Sequence, residues 1–332
     1  MVRPVMKKIL ILPAVFLLLC SCEHDIAEEA RFNVTLSAEN TYVAGEPVVF
    51  EFEGNIDNIL FYSGELGSEY QHRDRYSVPV EDVRSATLQL EYQARYGKPE
   101  AMDVWVSTEF QGLAGDNAES DRKTISDMCK DMKGWKRIDY EEGASTEWTE
   151  QSYMLTDSLP GKQNFSLAFH WNPKEYRDTA SGKYLTQRTY WINGKISFDI
   201  DEVIAMPIDL SELVFTTVMM NNEIEDPYLK NSGNGSIIMN STSADLIFQG
   251  VPDKDSLDFA IDAWAISSPI DLNSVANDQG LVIKNQQNYL EEYSYTWNTP
   301  GTYVVTFVGS NDNYIGSTSE VREITVTILE NI

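Results

Sequence analysis

Tyr295-Thr296-Trp297-Asn298-Thr299-Pro300-Gly301-Thr302-Tyr303-Val304-Val305-Thr306-Phe307-Val308 is the stretch whose reading decides the fold. Pro300-Gly301 is turn chemistry: proline presets φ, and glycine accepts backbone angles that other residues avoid. Residues 302–308 then run through β-branched and aromatic side chains, which fit a pleated strand better than a helix. Residues 321–329 repeat that texture and read as a second clear strand. Working outward, residues 47–53 place Val48, Phe50 and Phe52 on one side and Val49, Glu51 and Glu53 on the other, the pattern of a half-buried strand. Residues 58–62, 86–92, 102–108, 165–171, 190–192, 195–200 and 213–218 are further strands. Turn clusters fall at 55–58, 112–117, Asn193-Gly194, 231–235 and Pro300-Gly301. One helix is expected, over 119–133, opened by Asp121, Arg122 and Lys123 and closed by Gly134. The class is all-β, with sandwiches as the architecture.

The chain has 332 residues, enough for about two domains. Hydrophobic residues at 42% and charged residues at 23% describe a folded globular chain rather than a disordered one. Asp and Glu total 52 against 25 Lys and Arg, for a net charge of -27. That field repels a phosphate backbone and excludes nucleic acid as a partner. It also opposes docking on an anionic membrane by charge alone. The three His (His24, His72, His170) and three Cys (Cys20, Cys22, Cys129) are too few for a zinc site rich in these ligands. They also leave no disulfide framework, because Cys129 stands alone once the N-terminal pair is set aside.

Residues 1–22 read as an address. Arg3, Lys7 and Lys8 form a positive segment, and residues 9–20 form an apolar run too short to span a bilayer. Leu19-Cys20-Ser21-Cys22 resembles a lipobox, with Cys22 the lipidated residue because Ser21 before it is small. Cys20 is the alternative acceptor, and a simply cleaved secretion signal is the alternative to both. Loss of the three cations takes the net charge from -27 to -30. Residues 23–30 follow as an acidic tether. Acylation would convert a soluble chain into a membrane-anchored one.

The domains expected are 31–82 with 285–332 as one sandwich drawn from both chain ends, and 83–284 as an inserted second one. Tyr295, Trp297, Pro300, Gly301, Tyr303 and Val305 resemble the closing motif of a PKD-type immunoglobulin-like domain. Ala44-Gly45-Glu46-Pro47-Val48-Val49-Phe50 resembles its opening. Phe61-Tyr62-Ser63-Gly64-Glu65-Leu66-Gly67 replaces the W-D-F-G-D-G stretch usual there. Val104-Trp105-Val106-Ser107-Thr108-Glu109-Phe110 resembles a strand of jelly-roll modules, and the likeness continues at Trp135-Lys136-Arg137-Ile138, at Gln187-Arg188-Thr189-Tyr190-Trp191 and over 262–284. The mature chain as a whole resembles an uncharacterised family of Bacteroidota surface lipoproteins, a split PKD-like domain with a jelly-roll insertion. Genes of that family accompany starch-utilisation-type glycan uptake systems. The resemblance implies an outer-membrane, outward-facing lipoprotein working beside a transporter and a glycan-binding lipoprotein.

No G-x-S-x-G elbow, H-E-x-x-H helix or P-loop is present, so no catalytic residue is assigned and the chain reads as non-catalytic. With 52 acids, close carboxylate pairs arise by chance, and a glycoside hydrolase or lyase is the weakest reading. His170 reads as an edge polar residue. The densest sugar-binding candidates are Trp171, Asn172, Tyr176, Arg177, Asp178, Tyr184, Gln187, Arg188 and Trp191, rings for C–H faces among polar groups for hydroxyls. Loop tyrosines 176 and 184 are the most exposed expectation. Core packing competes for Trp171 and Trp191, while Trp105 is expected in the core. No cofactor or metal is assigned. Asp116, Asn117, Glu119 and Asp121 could hold a structural calcium, against which stands a solvated acidic turn. A non-catalytic glycan-binding surface lipoprotein is therefore the first expectation. A surface adhesion or assembly component that offers a strand edge to a protein partner is the second. Cys22→Ala should abolish incorporation of a clickable fatty acid; undiminished label would move the anchor to Cys20 or end the lipoprotein reading.

Overall fold

The computed structural model describes residues 27–37, 42–95, 101–139, 147–155, 164–172, 180, 189–220, 237–239, 243–249 and 261–331. In chain order the strands are β1 (Arg31–Leu36), β2 (Tyr42–Val43), β3 (Pro47–Asn55), β4 (Asn58–Tyr62), β5 (Val83–Arg95), β6 (Met102–Ser107) and β7 (Trp135–Ile138). Then come β8 (Thr149–Met154), β9 (Asn164–Trp171), β10 (Thr189–Ile200), β11 (Ile208–Asp209), β12 (Phe215–Met219), β13 (Ile237–Met239) and β14 (Leu246–Phe248). The last are β15 (Ala263–Ser267), β16 (Ile270–Asp271), β17 (Leu281–Lys284), β18 (Glu292–Thr296), β19 (Gly301–Asp312) and β20 (Ser317–Leu329). The α-helix α1 is Ala118–Met128. Among the described residues no helix is long and apolar enough to cross a membrane.

The chain divides into two compact units, one drawn from the segments up to Asp74 and from Asn277 onward, the other from Arg75–Ala276. The chain crosses between them at 74/75 and 276/277, where the sequence suggested 82/83 and 284/285. The reason is pairing: β17 lies against β4 and so belongs to the first unit. Val78 packs with Ile200 and Val275, and so belongs to the second.

In the first unit the two chain ends are interleaved. β3 sits between β1 and β18, and β4 sits between β17 and β19 in the order β17-β4-β19-β20-β2. Alternation sends Phe50, Phe61, Trp297 and Phe307 into one core, all fully buried. Phe50 meets Phe307 edge-on at 5.0 Å between ring centres, and the Trp297 indole N–H donates to the Ser63 carbonyl at 3.3 Å. Two segments about 230 residues apart thus share one aromatic cluster.

In the second unit two sheets face each other, β13-β14-β10-β5-β8 and β12-β15-β9-β6-β7, with β11 added to β10 and β16 to β9. Leu88, Leu90 and Tyr92 of β5 meet Leu167, Phe169 and Trp171 of β9 in a common core. The helix is shorter than expected. Asn117 caps it by accepting the backbone N–H groups of Glu119 and Ser120, and it ends at Met128, with Gly134 (φ 74°) beyond it in a turn. Asn193-Gly194 does not turn the chain either. β10 runs straight through it, because β5 pairs with it on both sides of the dipeptide. A Cβ on residue 194 would lie 2.2 Å from the Gln89 carbonyl, so the close approach requires glycine.

Tyr295, packed in the first unit's core, is pushed up to about 12 by burial and by its hydrogen bond to the Glu65 carboxylate at 2.5 Å. The folded state therefore holds this proton more tightly than the unfolded chain does. The resulting stability is complete below pH 10.0 and is lost as pH rises towards 12. Melting temperature should fall through that window, and Tyr295→Phe should flatten the fall, followed by near-ultraviolet circular dichroism.

Candidate functional site

The register of β5, β8, β10 and β11 sets polar side chains in rows on the outward face of one sheet. β10 buries Tyr190, Ile192 and Ile196, so Trp191, Asn193 and Lys195 face outward. At a strand rise of about 3.3 Å per residue the row covers roughly 13 Å. Trp191 stands opposite Gln93, Asn193 opposite Glu91, and Lys195 opposite Gln89. On the far side of β5, Glu150 stands opposite Glu91. On the other flank Asp209 stands opposite Lys195.

Gln89, Glu91, Glu150, Asn193, Lys195 and Asp209, with Gly194 among them, line a cavity of about 250 Å³. At one end of the row the Arg95 guanidinium lies over the Trp191 ring, 5.1 Å from its centre. The Gln89 Oε1 is buried with no hydrogen-bond partner, as is the Arg95 Nε. Among the described residues Glu91, Glu150, Lys195 and Asp209 form no ion pair, although Lys195 and Asp209 are opposite in register. An aromatic ring, unpaired charges and an unsatisfied acceptor thus share one face. Chemically this face can stack on a flat ligand and exchange hydrogen bonds with it.

The residues singled out from the sequence fall in different places. Trp171 is fully buried in the core between the sheets, so it is withdrawn as a ligand contact. It has the parity of Phe165, Leu167 and Phe169, and Trp191 has the opposite parity to Tyr190 and Ile192. Trp191 is half-buried on the outward face. Asn172, just after β9, points its Nδ2 at His170 Nε2 at 3.4 Å, and its Oδ1 is buried without a partner. Tyr176, Arg177, Asp178, Tyr184, Gln187, Arg188 and Cys22 lie outside the described residues. Trp105, expected in the core, is half-buried on the outward face of its sheet against α1 and its flanks.

His170 is no loose edge residue. It stacks on Trp264 with ring centres 4.0 Å apart and an interplanar angle of 9°. Its Nε2 is 2.9 Å from Asp262, and its Nδ1 is 3.9 Å from Asp103, which also pairs with Arg137. Among the described residues no hydroxyl or thiol bonds this imidazole, whose partners are Trp264, Asp262, Asp103 and Asn172. In the proposed calcium loop, Asp121 is buried and accepts the N–H groups of Ala114 (3.1 Å) and Gly115 (3.0 Å). The oxygens of Asp121 and Asn117 therefore hold the turn and cap the helix. Among the described residues, Glu69, His72 and Asp278 are the group whose ligand atoms gather within 4.8 Å, and they could hold a divalent cation. Their own bonds already close the turn: Asp278 accepts the Glu69 N–H at 2.9 Å, and His72 Nδ1 lies 3.0 Å from Glu69. The Glu69-x-x-His72 spacing was the available sequence signal.

A wider cleft of about 910 Å³ lies in the first unit between β3 and the 284–292 segment. Lys284 and Gln286 there are bonded to the carbonyls of Asp57 and Asp312. Among the described residues that line it, the cleft lacks the combination found along β10, a ring in line with a buried unsatisfied acceptor.

Fold and site together define a two-unit, all-β sandwich protein with a polar outward sheet face. The chain belongs to the family described as a domain of unknown function (DUF5017), whose model matches residues 21–203. No curated protein and no solved structure matches it.

The two tryptophans should separate cleanly in urea denaturation. Trp171→Ala should cost about 3–5 kcal/mol, as loss of a buried ring does. Trp191→Ala should cost about 1 kcal/mol, the scale of its contact with Arg95.

Proposed function

We propose that this chain is a non-catalytic, lipid-anchored surface protein that binds glycan on the outward face of β5 and β10. The observation that carries the reading is the row Trp191, Asn193 and Lys195 above a cavity whose charged groups form no ion pair among the described residues and whose Gln89 Oε1 has no partner. Sugars offer weakly apolar C–H faces to a ring and hydroxyls to amides and carboxylates. The placement at the outer membrane of a Bacteroidota cell, beside a glycan transporter, rests on the lipobox-like Leu19-Cys20-Ser21-Cys22 and on the family resemblance. A second reading, adhesion through a protein partner, has its own support. β17 forms one edge of its sheet and exposes Leu281 and Val282, the kind of edge that accepts a partner strand.

Affinity electrophoresis through polysaccharide-containing gels tests the first reading. The mature chain should be retarded by its cognate polysaccharide. Trp191→Ala should weaken retention about 5- to 150-fold, the range of a lost stacking contact of about 1–3 kcal/mol. Retention unchanged by Trp191→Ala would remove this face from the reading. New reducing ends in the polysaccharide would replace binding with hydrolysis, and Glu91 and Glu150 would be the first carboxylates to test.

A further inference from the structure

The cavity beside Trp191 is unbalanced in charge. Its charged lining is Glu91, Glu150 and Asp209 against Lys195 alone. The buried Gln89 Oε1 adds an acceptor with no donor. The Asn193 Oδ1 is already taken by the Gly194 N–H at 2.6 Å, so that side chain is left to donate. Glu91 and Glu150 are direct cross-strand neighbours, a like-charge arrangement that costs stability unless a positive group relieves it. Nothing among the described residues does so by an ion pair.

A single metal ion does not fit this site. Three carboxylates can share one ion only if their oxygens converge, and among the described residues that convergence occurs at Glu69, His72 and Asp278, not here. Acceptors spread along strands, with an aromatic ring in line, suit an extended ligand that brings several donors and a positive charge. We propose that the site selects glycans carrying free, protonated amino groups, such as deacetylated amino-sugar chains, over N-acetylated and uronate-bearing ones. This deepens the glycan-binding reading and rests on it. The Glu91 and Glu150 pair would receive the ammonium, Gln89 Oε1 would accept a hydroxyl or amine proton, and Trp191 would stack on the adjoining ring.

Isothermal titration of the full mature chain with three hexasaccharides tests this, with glucosamine, N-acetylglucosamine and galacturonate as the units. At about pH 6 a sugar amine is protonated, as an α-amino group is. The glucosamine chain should bind at least about tenfold tighter than the N-acetylated one, and the galacturonate chain should bind weakest. Raising NaCl from roughly 50 to 500 mM should erode the first affinity and spare the second. Glu91→Gln with Glu150→Gln should remove most of the preference. Glu292→Gln with Glu323→Gln makes the same charge change in the other unit and should not. Equal binding of the amine and N-acetyl chains would overturn the selectivity while leaving glycan binding intact. Equal losses in both double variants would show attraction to the acidic chain as a whole, and would also overturn it. Absence of binding to all three, and to a wider neutral polysaccharide panel, would overturn the glycan reading itself.

Discussion

The antiparallel register between β5 and β10 is the constraint on which the rest of the second unit depends. It holds from Thr189 opposite Arg95 to Phe198 opposite Ala86 and shifts only after Asp199. Side chains alternate along a strand, so a slip of one residue would move Leu88, Leu90 and Tyr92 into water and Gln89, Glu91 and Gln93 into the core. Core and candidate site are thus two faces of the same pairing. Gly194 guards the register at its middle, since any side chain there would collide with the Gln89 carbonyl.

Much of this was legible, and the limits have physical causes. Pro300-Gly301 and the runs after it marked β19 and β20, and residues 58–62 marked β4 with the bounds observed. Local patterning specifies strands because each must present one apolar face. It does not say what covers the other face. Trp171 and Trp191 look alike as aromatic ends of strands, yet their parity against neighbouring apolar residues separates core from surface. Asn193-Gly194 misleads because the dipeptide favours a tight turn locally, while pairing on both sides of it holds the strand open. The outward rows were hidden for a different reason. Glu91 and Glu150, or Lys195 and Asp209, become neighbours only through long-range pairing, and as single letters they are ordinary solvated charges.

His170 illustrates the same gap. Its alternation with Ser166 and Ala168 suggested a polar face, but those two residues are fully buried. The helix α1 and its flanks lay Ile125 and Met128 over that side of the sheet, where they join Ala168, Val218, Trp264 and Ile266 in a second apolar cluster. A histidine at the margin of such a cover needs partners, and Trp264 of β15, Asp262 just before it and Asp103 of β6 supply them from segments that sequence cannot place beside it.

That cover explains why the candidate site lies on one sheet and not the other. A sandwich has two outward faces, and either could carry a ligand. Here the face of β15, β9 and β6 is spent on packing: its central positions are apolar, and Ser107 bonds backbone N–H groups of the segment that leads to α1. The face of β10 and β5 has no helix over it among the described residues, and along it the Gln89 Oε1 lacks a hydrogen-bond partner and Glu91, Glu150, Lys195 and Asp209 form no ion pair. The proposed sugar recognition needs a rigid platform with groups that still lack partners. Strand pairing supplies the rigidity, and the stretch around Gln89, Glu91 and Lys195 supplies such groups.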